Sequence, residues 1–207
     1  MALRIWGRIS SVNVQKVVWC ADELALPYER IDAGGAFGVN DTPAFLAKNP
    51  NGLVPMVEDD DFVIYESNAV VRYLAAKHSE GALWPRELRA RADVDRWMEW
   101  QSTGYTPAML VAFWQLCRTP PDKRDDSAIE ASRVKGEKFS AVLDAHLAER
   151  EFVAAGRFSP ADIVVGCAAH RWLGLPMART PRPNIERWYA ALKRRPGAQQ
   201  VLSQPVS

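Results

Sequence analysis

Two short segments hold the residue types from which a ligand site can be built: Asn49-Pro50-Asn51-Gly52-Leu53-Val54-Pro55 and, soon after, Tyr65-Glu66-Ser67-Asn68-Ala69. A proline just inside a strand removes a ladder donor and is normally a defect. It becomes useful if the Val54–Pro55 bond is cis, because the kink turns the preceding backbone outward. Val54 can then pair, strand to strand, with an extended peptide arriving from solvent. Ser67 opens a predicted helix, where its hydroxyl and the first free amides can hold a carboxylate. Glu66 beside it can accept from an ammonium group. A short peptide with a free amine and a free carboxylate at one end satisfies all three elements. The plainer alternative makes Pro55 a loop proline and Ser67 an ordinary helix cap.

The elements that must position these residues can be read outward from them. Leu3 to Gly7 reads as a short strand. Val14, Val17, Val18, Ala21, Leu24 and Ala25 follow helical spacing, and Pro27 ends that helix. Tyr28 to Asp32 is a second strand, Gly34, Gly35 and Gly38 mark a flexible connection, and Pro43 to Lys48 makes a short helix. Val54 to Glu58 and Phe62 to Tyr65 flank Asp59 and Asp60, which reads as a hairpin. Ser67, Val70, Tyr73, Leu74 and Lys77 then mark another helix. The order βαβαββα predicts an α/β domain over 1–79 with a mixed sheet and helices on both faces.

After Pro85 strand signals stop. Residues 80–87, with Gly81 and Pro85, form the predicted linker, and 88–207 an all-α C-terminal domain. Residues 88–118 and 123–150 read as two long helices, the second with Phe139, Val142, Leu143 and Leu147 on one face. Ser159, Pro160 and Asp162 make an explicit, box-like start for the next helix, with Phe158 placed to staple onto Ile163. Pro183 to Leu192 is the last clear helix.

Composition narrows the function classes. Formal net charge is +1 over 207 residues, with hydrophobic residues at 48% and charged at 25%, which is ordinary globular usage. Residues 1–80 carry seven Lys/Arg against eleven Asp/Glu, and the remainder nineteen against fourteen. The basic residues are scattered, so no nucleic-acid partner is expected. No apolar stretch approaches bilayer length and the start has no secretory pattern, so neither membrane association nor export is expected. Cys20, Cys117 and Cys167 lack metal or disulfide spacing, which fits a reducing cytoplasmic compartment. Cys20 lies mid-helix and reads as packing. His78, His146 and His170 show no ligand or triad spacing, and no metal is expected.

The pattern NPxGxVP followed by ESxA resembles the glutathione transferase family. The resemblance extends over nearly the whole chain, including the Ser159-Pro160-Ala161-Asp162 helix start. It is nearest to bacterial, serine-type members related to the theta and phi groups. It implies a thioredoxin-like N-terminal domain, a helical C-terminal domain, glutathione as co-substrate, a homodimer and a role in detoxification. By that resemblance Val54, before the cis-proline Pro55, pairs with the cysteinyl backbone of glutathione, and Glu66 and Ser67 hold its γ-glutamyl end. The sequence departs from phi-type members near Asn40 and Asp41 and at Leu53, where contacts to the glycyl half are altered. Asn40 can substitute in part, and Lys48 is a weaker candidate.

The resemblance also implies a residue that activates the thiol. A free thiol has a pKa of about 8.5, and lowering it by about two units requires roughly 2.7 kcal/mol of preferential thiolate stabilisation. A hydroxyl at a helix N-terminus can supply that through a charge-assisted hydrogen bond and the helix dipole. In Gly7-Arg8-Ile9-Ser10-Ser11-Val12-Asn13 the family's catalytic hydroxyl falls on Ser11, with Ser10 and Asn13 as alternates. Tyr105, Met109, Phe113, Trp114 and Trp172 are expected to line an apolar pocket between the domains for a hydrophobic electrophile. Conjugation of the thiolate to an electrophilic carbon is the leading activity. Isomerisation, dehalogenation or peroxide reduction on the same site, and a non-catalytic interaction module, are the alternatives.

Overall fold

The computed structural model describes residues 3–206. Those up to Trp84, joined by Pro196–Gln204, form one compact unit, and Pro85–Arg195 form the bulk of a second.

In the first unit strands β1 (Leu3–Trp6), β2 (Tyr28–Ile31), β3 (Met56–Asp59) and β4 (Phe62–Tyr65) make one sheet in the order β2-β1-β3-β4. β1 runs parallel to β2, from Leu3↔Tyr28 to Trp6↔Ile31, and β3 is antiparallel to both β1 and β4. Helices α1 (Val12–Glu23), α2 (Pro43–Leu46) and α3 (Ser67–Ser79) complete the predicted βαβαββα order. Several boundaries move: β1, β2 and α2 end one or two residues early, and β3 opens at Met56 rather than Val54, so Pro55 precedes the strand instead of lying inside it. α1 stops at Glu23, because Ala25 takes a left-handed φ of 51° and the Ala25 and Leu26 amides return to Asp22 and Ala21. The hairpin turn is Asp60–Asp61 rather than Asp59–Asp60. Asp59 pairs with Phe62 and its carboxylate accepts from Tyr73 Oη and Lys77 Nζ, each at 2.6 Å.

α1 is buried almost all round, including Gln15, Lys16, Trp19 and Cys20 as well as the predicted apolar positions. A helix with so little polar face must be enclosed. α3 covers one side, and the tail, a 3₁₀ turn Pro196–Ala198 with the short helix at Gln199–Leu202, covers another. The sequence reading placed that tail in the helical domain. It belongs instead to the first unit, where Tyr28 Oη joins Gln200 Oε1 (2.9 Å) to Asp22 Oδ1 (2.9 Å).

The second unit is helical. The first predicted long helix is α4 (Leu88–Trp100) and α5 (Thr106–Cys117), joined without a break by a π-helical turn, Gln101–Tyr105. α6 (Asp126–His146), α7 (Pro160–Gly174) and α8 (Pro183–Lys193) follow. α6 buries Leu143 with the small residues Ser132, Gly136 and Ser140, and Leu147 just beyond its end, while Val142 faces solvent. Small residues let α5 approach closely, and Ser132 Oγ bridges to the α5 backbone at Ala108 O and Ala112 N. α7 starts as the sequence predicts. Asp162 accepts from Ser159 N (3.0 Å), Ser159 Oγ (3.2 Å), Val153 N (2.8 Å) and Trp188 Nε1 (3.0 Å). Phe158, expected to staple onto Ile163, is found edge-on to Phe152 and beneath the Arg195 guanidinium. Among the described residues, no helix is long and apolar enough to cross a membrane.

Candidate functional site

Helix starts divide into two kinds. α2, α4 and α6 are capped by side chains, with Thr42, Glu87 and Asp125 accepting from first-turn amides. α1 and α3 have no such cap. Their N-terminal residues are Ser11, with extended backbone (φ −82°, ψ 121°), and Glu66, held at φ 70°. A positive φ in a non-glycine residue costs on the order of 1–3 kcal/mol and persists only where the surroundings impose it. Neither start is closed by a side-chain cap of its own.

The loop that meets the α3 opening is built by asparagines. Asn49, almost wholly buried, donates from Nδ2 to Leu53 O (2.8 Å) and accepts from Asn51 N at Oδ1 (3.2 Å). Asn40 Nδ2 donates to Gly52 O (2.7 Å), so this amide is spent inside the loop. The Val54–Pro55 bond that follows is cis. Val54 tucks its side chain against Gly7 and Gly34. A Cβ at Gly7 would lie 3.1 Å from Val54 Cβ and one at Gly34 3.3 Å from Val54 Cγ2, so the absence of side chains at both positions leaves room for this approach. Leu53 turns outward and is 63% exposed.

One cleft gathers Asn13, Leu53, Val54, Pro55, Glu66 and Ser67 with Asn49, Asn51 and Tyr65. The sequence reading named the first six. Ser10, Ser11 and Asn40 are outside its lining; Ser11 N closes a turn within its own loop by donating to Arg8 O (3.1 Å). Lys48 pairs with Glu58 (2.7 Å) and takes no part.

Lys16 is the residue that sequence reasoning missed. It is 2% exposed, and its ammonium donates to Ser67 Oγ (3.4 Å) and Asn68 Oδ1 (3.1 Å). Ser67 Oγ in turn donates to Asn13 Oδ1 (3.4 Å). A buried cation and a helix N-terminus thus converge on one serine, and both favour an anion there. The signal was available in α1, whose apolar residues at 12, 14, 17, 18, 19 and 21 leave no broad polar face for a lysine at 16.

The expected second-substrate residues separate. Tyr105, Met109 and Trp172 are wholly buried in the helical unit, which corrects their assignment to an accessible pocket. Tyr105 Oη shares a hydrogen bond with Ser140 Oγ (3.2 Å), its ring packs against Trp172, and burial pushes its phenol pKa far up. Phe113 is nearly buried, with the Arg171 guanidinium 3.9 Å above its ring. Trp114 is 55% exposed and shares its face of α5 with Leu110 and Val111. The larger cavity of about 230 Å³ between Asp93 and the 149–156 loop contains none of the expected residues.

The cysteines add no competing nucleophile at this cleft. Cys20 is fully buried, donates weakly to Val71 O (3.8 Å), and has its thiol pKa raised, first by burial and then by Glu23. Among the described residues, no group of three or more His, Cys, Asp or Glu side chains is arranged to hold a metal ion.

Known proteins resemble this chain over its whole length. The profile of the glutathione S-transferase N-terminal domain matches residues 1–76, and that of the C-terminal domain matches residues 126–191. The chain is 42% identical to glutathione S-transferase GstB of Escherichia coli, over 99% of this chain and 100% of that one. It is 31% identical to glutathione S-transferase 3 of Zea mays, over 97% and 93%. Among solved structures, the theta class glutathione S-transferase of Xanthomonas axonopodis pv. citri with glutathione bound superposes with a TM-score of 0.96. Identity there is 41%, covering 100% of this chain and 99% of that one. With both of its domains matched and full-length relatives well above 30% identity, the chain belongs to the glutathione S-transferase family.

Proposed function

We propose that this transferase binds glutathione along the Val54 backbone, activates its thiol at the α1 opening and conjugates the sulfur to apolar electrophiles. The observation that carries the binding half is the uncapped start of α3, where the buried Lys16 ammonium stands behind Ser67. The γ-glutamyl carboxylate accepts from the Ser67 hydroxyl and the first α3 amides. Glu66 takes the γ-glutamyl ammonium, and Val54 N and O pair with the cysteinyl residue. Leu53 and Asn40 flank the glycyl end, which is held with few polar contacts because the Asn40 amide is committed to Gly52.

Ser11 is the preferred activating hydroxyl, since it stands at the α1 N-terminus without capping it. The thiol loses its proton to water, and Ser11 donates a hydrogen bond to the resulting thiolate while the α1 dipole supports the charge. The thiolate then forms the S–C bond as the leaving group departs with its bonding pair. The protein acts as a cytoplasmic homodimer. Sedimentation that finds only single chains at micromolar concentration would contradict the dimer.

The function is tested by glutathione titration followed by assays with 1-chloro-2,4-dinitrobenzene, cumene hydroperoxide and maleylacetone. Conjugation of the first is expected. Glutathione binding with turnover of only the peroxide or the isomerisation substrate would reassign the reaction, and activity with none would remove the enzymatic reading.

A further inference from the structure

The cleft has two ends of opposite character. At the α3 opening charge is provided for: Glu66 lines it, and the buried Lys16 ammonium stands behind Ser67. At the other end the lining is Asn49, Asn51, Leu53 and Val54, and among the described residues no lysine or arginine lines the cleft. The polar groups of that loop are engaged with one another. Asn49 Nδ2 donates to Leu53 O (2.8 Å), Asn51 N to Asn49 Oδ1 (3.2 Å) and Asn40 Nδ2 to Gly52 O (2.7 Å). Lys48, the lysine nearest in sequence, is turned to Glu58 (2.7 Å), and Arg8 runs along Gly34 and Gly35 outside the lining. Asp41, beside Asn40, adds an exposed acid. What the loop turns outward is apolar. Leu53 is exposed, and a Cβ at Gly52 would lie 3.3 Å from Leu46 Cδ2, so Leu46, itself exposed on α2, borders the same stretch.

We propose that this end of the cleft does not read a negative charge, and that the protein's thiol co-substrates are γ-glutamylcysteinyl peptides whose C-terminal carboxylate is esterified or amide-linked as well as free. This rests on the transferase reading and deepens it. The γ-glutamyl group is fixed at Ser67, the cysteinyl backbone pairs with Val54, and the residue beyond meets Leu53 and Leu46. An anion that leaves water is compensated only by a cation or by charge-assisted donors, whereas a neutral group loses little hydration against leucine. The Asn51 side-chain amide is a neutral donor, and an ester or amide carbonyl accepts from it as a carboxylate does. Selection at this site therefore falls on the γ-glutamyl end, where Lys16, Glu66 and Ser67 supply the charge and the hydroxyl.

The test is isothermal titration of the unsubstituted protein with glutathione, its glycyl ethyl ester and its glycinamide analogue, with KM and kcat for 1-chloro-2,4-dinitrobenzene measured for each thiol. All three should bind within about threefold of one another with similar kcat, where a site that held the glycyl carboxylate by a charged donor would lose roughly tenfold or more on masking it. A greater than threefold loss for both neutral thiols beside tight glutathione would overturn the inference and leave the transferase reading standing. Binding of none of the three would overturn the transferase reading itself, and this inference with it. Leu53→Lys puts a cation at an exposed position and should create the discrimination that the natural protein lacks, tightening glutathione about tenfold relative to the ester. A folded Leu53→Lys protein that still holds both alike would place the glycyl end elsewhere and overturn the assignment.

Discussion

Among the helices that begin beside a serine, α7 and α3 are finished differently. At α7 everything is closed. Ser159 and Asp162 are fully buried, and the Asp162 carboxylate takes four donors from Ser159, Val153 and Trp188. At α3 the start is open. Glu66 precedes the helix at a left-handed φ without capping it, and Lys16 and Asn13 hold the Ser67 hydroxyl at long range, 3.4 Å each. In one place the protein satisfies its own helix terminus, and in the other it supplies no side-chain cap. The first arrangement contributes stability. On the proposed function the second gives up stability for binding, a division expected at functional sites.

The closed start carries the largest expected effect. Asp162→Ala should cost on the order of 3–4 kcal/mol in urea unfolding, because two backbone amides and an indole lose their acceptor inside the core. Glutathione affinity of the folded fraction should be unchanged. Burial pushes the Asp162 carboxyl up to about 6, outweighing its four hydrogen bonds. Since an unfolded aspartate titrates at about 3.9, the native state holds this proton more tightly. The stabilising contribution is therefore fully present below about pH 4 and is lost as pH rises through about 6. Asp162→Asn should flatten that part of the stability–pH curve.

At the open starts the effects should appear in binding and chemistry instead. Ser11→Ala should raise the bound thiol pKa by about two units, roughly a hundredfold loss of thiolate near neutral pH, whereas Ser10→Ala should leave it unchanged. The reverse pattern would transfer the role to Ser10. Ser67→Ala and Lys16→Met should each weaken glutathione binding about tenfold, or about 1.4 kcal/mol, with kcat little altered. Glu66→Gly sharpens the contrast most. Relief of the left-handed backbone should raise stability by about 1 kcal/mol while glutathione binding weakens. A variant that lost both would show that Glu66 serves the fold.

Much of this contrast can be read from sequence because it depends on local residue chemistry. Pro55 after Gly52-Leu53-Val54 and Glu66-Ser67 ahead of an apolar helix mark the open site, and Ser159-Pro160-Ala161-Asp162 marks the closed one. What sequence reading misses depends on which face of a helix is covered. α5 is apolar on nearly every side, so periodicity cannot distinguish buried Met109 from exposed Leu110, Val111 and Trp114. Lys16 escapes notice because a lysine is ordinarily solvated, and its burial follows only once α3 and the 196–202 tail enclose α1. The tail escapes because Pro196-Gly197 reads as the end of a helix, and the four residues that follow are too few to show a period.

Isothermal titration of the unsubstituted protein with glutathione and with cysteinylglycine measures the contribution of the α3 opening directly. Saturable binding of glutathione, at one molecule per chain, with no measurable binding of the dipeptide is the expected result. Equal affinity for the two would mean that Lys16, Glu66 and Ser67 hold no γ-glutamyl group.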